Sequence, residues 1–130
     1  MRVFLILLVL WLPGCGSGTG PSAVIDMTST EFKAALDSTV PRQLIDVRTG
    51  PEVSGGVIAG AQQLDISSDL FEQQLDGLDK ATPVYVYCAV GSRSAQAARL
   101  LAEKGFGTVY NLNGGIQAWL SAGYPVVPLR

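Results

Sequence analysis

Histidine is absent from the 130 residues. Its absence excludes Ser-His-Asp and Cys-His hydrolase arrangements and most metal sites, and neither a metal nor a cofactor is expected. Basic runs are absent as well. Nine Lys and Arg against eleven Asp and Glu give a net charge of −2, which leaves nucleic-acid binding without an electrostatic footprint. No internal repeat is visible, and the length beyond an N-terminal leader suits one small domain rather than two. The unbroken apolar run Val3 to Leu12 has only ten residues, too short to span a bilayer of about 30 Å as a helix. Cysteine is scarce, with Cys15 and Cys88 alone.

Cys88 follows the run Val84, Tyr85, Val86, Tyr87, whose β-branched and aromatic residues, bounded by Thr82-Pro83, predict a short strand in a buried parallel sheet. After it, Ser94 to Lys104 sets Ala95, Ala98, Leu101 and Ala102 on one helical face, and Gly105 offers the left-handed conformation that stops a helix. Ala89 to Arg93 is then a loop at a helix N-terminus, and the strand aims Cys88 outward. Such a loop turns several backbone N–H groups to one point, where the helix adds partial positive charge. Gly91 permits the tight turn, while Arg93 braces the loop or meets an anion with its planar fork of donors. These surroundings favour thiolate over thiol: free cysteine titrates near ~8.5, and comparable sites lie at about 3.5–7.5. A lone cysteine at a strand end is otherwise commonly a small buried hydrophobe. Gly91, Arg93 and Ser94 in register between strand and helix weigh against that reading.

The remaining segments alternate in type. Ala23 to Asp26 reads as a strand, and Thr28-Ser29-Thr30-Glu31 as a capping box with Met27 and Phe32 as its hydrophobic staple and Phe32, Ala35 and Leu36 as the helix stripe. Gln43 to Val47 is the next strand, followed by a glycine-rich connection, a short strand over Gln62 to Ile66 and a helix over Ser67 to Leu78 that buries Leu70, Phe71 and Leu75. Thr108 to Leu112 gives the last strand. Ile116, Trp119 and Leu120 give the last helix stripe, and Gly114-Gly115 a turn. Strands alternating with helices imply an α/β fold, a doubly wound parallel sheet with helices on both faces.

Cys88-Ala89-Val90-Gly91-Ser92-Arg93-Ser94 resembles the active-site loop of the rhodanese family of single-domain sulfurtransferases. Leu44-Ile45-Asp46-Val47-Arg48 resembles that family's aspartate-valine-arginine strand, Gly56 to Ala61 its glycine-rich connection, and Leu112 to Ile116 with Trp119 its closing helix. The likeness runs from about Val24 to the C-terminus, giving a rhodanese-like domain over 23–130. It implies a sulfurtransferase with Cys88 as nucleophile, Ala89, Val90, Gly91, Ser92 and Arg93 as the substrate- and persulfide-binding loop, and Asp46 and Ser94 as loop support. Asp46 would brace Arg93 or, equally, stand as a solvated or capping carboxylate; Arg48 pairs with Glu52 or Asp46 on the surface.

Within the family, a loop of six residues from Cys88 to Arg93 goes with sulfur transfer, and relatives acting on phosphate or arsenate carry one residue more. The implied cycle takes sulfane sulfur from a donor of the thiosulfate or polysulfide type onto Cys88 and passes it to a thiophilic acceptor. The alternative is a noncatalytic persulfide carrier or protein-docking module. Two departures stand out. Ala89 and Val90 occupy the positions after the cysteine, the first often basic in members that take thiosulfate, and Val57 and Ala59 replace the usual histidine and proline of the glycine-rich connection.

Met1-Arg2 and the run to Leu12 read as a signal peptide over 1–14. Leu12-Pro13-Gly14-Cys15 resembles the lipobox of bacterial lipoproteins, with Pro13 an atypical residue there. By that resemblance Cys15 is lipidated and begins the mature chain, residues 15–22 form a flexible tether, and the protein is exported and membrane-anchored, facing the cell envelope or periplasm. Gly16 rather than aspartate after the cysteine points, in a Gram-negative cell, to the outer membrane. If modification fails, ordinary secretion or an uncleaved anchor follows. A thioether on Cys15 also removes it from disulfide pairing and leaves Cys88 reduced or persulfidated.

Overall fold

The computed structural model describes residues 22–130. The expected signal peptide, the lipidation site Cys15 and all of the tether but Ser22 lie outside the described residues.

Among the described residues five strands form one sheet: β1 (Ala23–Met27), β2 (Gln43–Asp46), β3 (Gln62–Gln63), β4 (Val84–Tyr87) and β5 (Thr108–Leu112). Their order is β1-β5-β4-β2-β3, and every pairing is parallel. The helices are α1 (Ser29–Asp37), α2 (Gly50–Val53), α3 (Phe71–Asp76), α4 (Ser92–Glu103) and α5 (Gly115–Ser121). The expected doubly wound sheet is present. β4 lies at its centre with all four residues buried, and successive side chains enter opposite cores. Val84 and Val86 pack with Phe71, Leu75, Ala97, Ala98 and Leu101; Tyr85 and Tyr87 pack with Phe32, Leu112, Ile116 and Trp119.

Local signals set the helix ends. Thr28 caps α1 reciprocally: its hydroxyl accepts from the Glu31 amide while Glu31 accepts from the Thr28 amide at 2.8 Å. The expected helix over Ser67 to Leu78 is shorter because Asp65 accepts from the Ser67 amide and hydroxyl, and Ser68 from the Leu70 amide, tying 65–70 into turns. Leu70 therefore precedes α3 and is exposed rather than buried. α4 starts two residues earlier than expected, taking Ser92 and Arg93 out of the loop. Its buried face is Ser94, Ala97, Ala98 and Leu101, with Ala95 and Ala102 only half-buried. In α5, Ile116 and Trp119 face the core and Leu120 faces solvent.

Of the readings offered for Asp46, bracing Arg93 and standing in solvent are corrected, and capping is what the structure shows, at the Arg48 amide. Asp46 is fully buried at the end of β2, where it accepts from Arg48 Nε at 2.9 and 3.0 Å, Arg48 Nη2 at 2.6 Å and the Arg48 amide at 3.0 Å. It thus neither braces Arg93 nor stands in solvent. Arg48 is buried as well and donates onward to the Gly56 carbonyl at 2.8 Å, so the pair fastens the glycine-rich connection to the sheet. Two charges withdrawn from water this far need each other. Replacing Asp46 with alanine strands the Arg48 guanidinium, and urea unfolding should show a loss of about 3–5 kcal/mol; an unchanged midpoint would remove the pair from the stability of the fold.

Candidate active site

The carboxyl ends of the parallel strands share one edge of the sheet. β2 leads outward to β3 and β4 leads the other way to β5, so the chain diverges between neighbouring strands and leaves a crevice there. Cys88 is the first residue beyond β4 at that point.

Gly91 turns the chain into α4 with φ +103°, and its amide lies 3.1 Å from Cys88 Sγ. Ser94 Oγ donates to the sulfur as well, at 3.4 Å, and the backbone amides of Val90 and Ser94 add to the stabilisation of its charge. Burial pushes the Cys88 thiol up, but these hydrogen bonds, led by the Ser94 hydroxyl, outweigh it and bring the group below the ordinary thiol range. The Ser94 hydroxyl also lies 3.1 Å from the Gly91 carbonyl. Having one proton, it serves one acceptor at a time, and ionisation of Cys88 draws it to sulfur.

The second support comes from α5. The amide of Ile116 donates to the Cys88 carbonyl at 2.9 Å and that of Gln117 to the Ala89 carbonyl at 3.1 Å. These are first-turn amides with no partner inside their own helix. In a trans peptide the N–H points opposite to the C=O, so pinning the Ala89 carbonyl on α5 turns the Val90 N–H toward the sulfur. Close approach demands Gly115: a Cβ there would lie 2.5 Å from the Ala89 carbonyl carbon and oxygen, at φ +59°. The turn and packing role read for Gly114-Gly115 is thus a constraint on the loop itself.

From the sequence alone Cys88 is expected to point outward from the strand. In the structure the loop folds back over it, and Cys88 is 0% exposed while Val90 stands 54% exposed on the rim. A groove of about 540 Å³ between α3 and α4, lined by Ile66, Phe71, Gln96 and Leu100 among others, contains neither Cys88 nor any residue of 89–93.

Arg93 projects across the crevice to Glu52 of α2, Nη1 to Oε2 at 2.8 Å and Nη2 to Oε1 at 2.7 Å. Glu52 was not among the expected site residues. Its own carboxylate also accepts from the Thr49 amide and hydroxyl at 3.0 and 2.9 Å, and with Arg93 these hold its pKa at about 2. The Arg93 guanidinium is held protonated by Glu52 first, with the nearby Cys88 sulfur adding to the effect. The pattern Thr49-x-x-Glu52 marks a capping box and so a fixed glutamate; only the crossing of two distant segments reveals its partner.

The chain matches the Rhodanese-like domain family over residues 28–122. It belongs to that family. A sulfurtransferase of Allochromatium vinosum is 36% identical over 104 residues, covering 80% of this chain and 95% of the relative. The thiosulfate sulfurtransferase GlpE of Shewanella oneidensis is 35% identical over 80 residues, covering 62% of this chain and 77% of that protein. The crystal structure of a rhodanese-related protein from Thermoplasma volcanium superposes with a TM-score of 0.70 at 30% identity, over 79% of this chain and 97% of the other. The relatives' names support sulfurtransferase activity in general terms for this rhodanese-like domain.

The rhodanese-like cradle makes a direct expectation about acidity. The pH profile of iodoacetamide alkylation should have its midpoint below ~8.5. Ser94→Ala, which removes the leading hydrogen bond to sulfur, should move that midpoint upward; coincident profiles would exclude the hydroxyl from thiolate stabilisation.

Proposed function

We propose that this protein is a rhodanese-type sulfurtransferase, moving sulfane sulfur from a donor of the thiosulfate or polysulfide type to a thiophilic acceptor through a persulfide on Cys88. The observation that carries this reading is the convergence of the Gly91 amide and the Ser94 hydroxyl on a single sulfur at the crevice between β2 and β4. In the first half-reaction the thiolate attacks the donor's outer sulfur. The donor's S–S bond breaks, and its electron pair leaves on the released fragment. In the second, the acceptor's lone pair takes the outer sulfur of the persulfide, and the bonding pair returns to Cys88. A thiol whose pKa is lowered by its hydrogen bonds reaches the nucleophilic thiolate without a general base, which suits a chain without histidine. Amides fixed in advance around the sulfur stabilise the negative persulfide as an oxyanion hole stabilises its anion.

The complete burial of Cys88 favours a second reading, a noncatalytic persulfide carrier or protein-docking module. Intact mass separates the two. Treatment with thiosulfate or polysulfide should add the mass of one sulfur atom, and cyanide should remove it with turnover. An adduct that persists without turnover would indicate a carrier, and no adduct with any donor a docking module. Cys88→Ser should abolish the adduct and lower turnover at least ~10³-fold with the circular dichroism spectrum retained. Residual activity near the parent level would overturn the nucleophile assignment.

The same proposal places the protein in the cell envelope, exported and held to the membrane by lipid on Cys15. Support comes from Met1-Arg2, the apolar run and Leu12-Pro13-Gly14-Cys15. Labelled fatty acid should enter the parent protein and not Cys15→Ala, which should leave the membrane fraction; equal labelling of both would refute lipidation at that residue.

A further inference from the structure

We infer that the donor is an organic persulfide, R–S–S–H, with little charge beyond its sulfurs, and that Glu52 sets this preference by neutralising Arg93. The inference rests on the sulfurtransferase reading of Cys88 and narrows its substrate.

The segment from Ala89 to Ser94 carries one cation, Arg93, and both ends of its fork are matched to the two carboxylate oxygens of Glu52. Glu52 is ionised throughout the working range and is fixed from its other side by Thr49. The other guanidinium at these strand ends, that of Arg48, is matched by Asp46. With Cys88 as thiolate, the group formed by Cys88, Arg93 and Glu52 carries one net negative charge. A doubly negative donor such as thiosulfate approaches against that charge and finds no unmatched cation on the loop for its sulfonate. The amides that favour an anion are already directed at Sγ. An organic persulfide brings less repulsion, and its carbon part meets the exposed side chain of Val90 on the rim and the small Ala89 beside it.

The step balances without an added reagent. Cys88–S⁻ attacks the outer sulfur of R–S–S–H and forms Cys88–S–S–H, while the donor's S–S bond breaks and its electron pair leaves on R–S⁻. One negative charge stands on each side, and no oxidant or base enters.

The test compares kcat/KM of the full chain for thiosulfate and for the persulfide of N-acetylcysteine methyl ester, with cyanide as acceptor. The persulfide should be preferred by at least about tenfold, and the thiosulfate rate should rise with added sodium chloride as like-charge repulsion is screened. Glu52→Gln leaves the Arg93 charge unmatched, so the thiosulfate-to-persulfide ratio should rise about tenfold and its salt dependence should weaken. Should that variant fail to fold, Ala89→Lys adds a cation to the loop and should shift the ratio in the same direction. A parent protein that prefers thiosulfate, or ratios unmoved by the added positive charge, would overturn the inference and leave sulfur transfer standing. A sulfur adduct from neither donor would instead overturn the sulfurtransferase reading, and the inference with it.

Discussion

The carbonyl oxygens of Cys88 and Ala89 are held by the first amides of α5, and the planarity of the peptide turns that anchoring into chemistry at the sulfur. With one side of the loop fixed, the N–H groups on its other side converge on Sγ instead of on water. The anchoring needs backbone to approach backbone more closely than any side chain allows. Gly115 removes a Cβ that would collide with Ala89, and Gly91 at φ +103° passes with its own Cβ position 3.1 Å from the Gly114 nitrogen. The loop after β4 and the turn after β5 are therefore one structural unit. α5, which gives no hydrogen bond to the sulfur, holds the carbonyls whose peptides turn toward it.

Two opposed effects meet at Cys88. Withdrawal from water disfavours its charge, while hydrogen bonds from Ser94, Gly91 and Val90 favour it, and the same low polarity that penalises the charge strengthens those bonds. The balance depends on geometry being kept, and two ion pairs keep it. Asp46 and Arg48 fix the end of β2 and the glycine-rich connection from inside the fold. Glu52 and Arg93 tie α2 to α4 across the crevice where the chain diverges, at a half-exposed position. The first pair serves stability because neither charge can be left alone in the interior. The second lies beside the Cys88 sulfur, where its two charges offset each other.

Much of the architecture was legible in the chain itself. The run Val84 to Tyr87, the capping box at Thr28 and the alternation of strand and helix each carry a local cause, and the parallel sheet with helices on both faces follows from them. The Cys88 to Ser94 segment could be placed at a strand-to-helix turn because Gly91 and the following helix mark it. Errors fell where polar side chains near a helix start compete with helix formation, as at Asp65 and Ser68, and where a stripe of alanines left the buried face of α4 ambiguous. The sequence by itself determined the elements, their kind and the residue types gathered at the carboxyl edge, because these depend on neighbours a few positions apart. Only the tertiary structure decided that Arg93 meets Glu52, that Asp46 meets Arg48 inside the fold, that α5 orients the loop, and that Cys88 is covered. Each of these joins segments or depths whose separation in space no local pattern encodes.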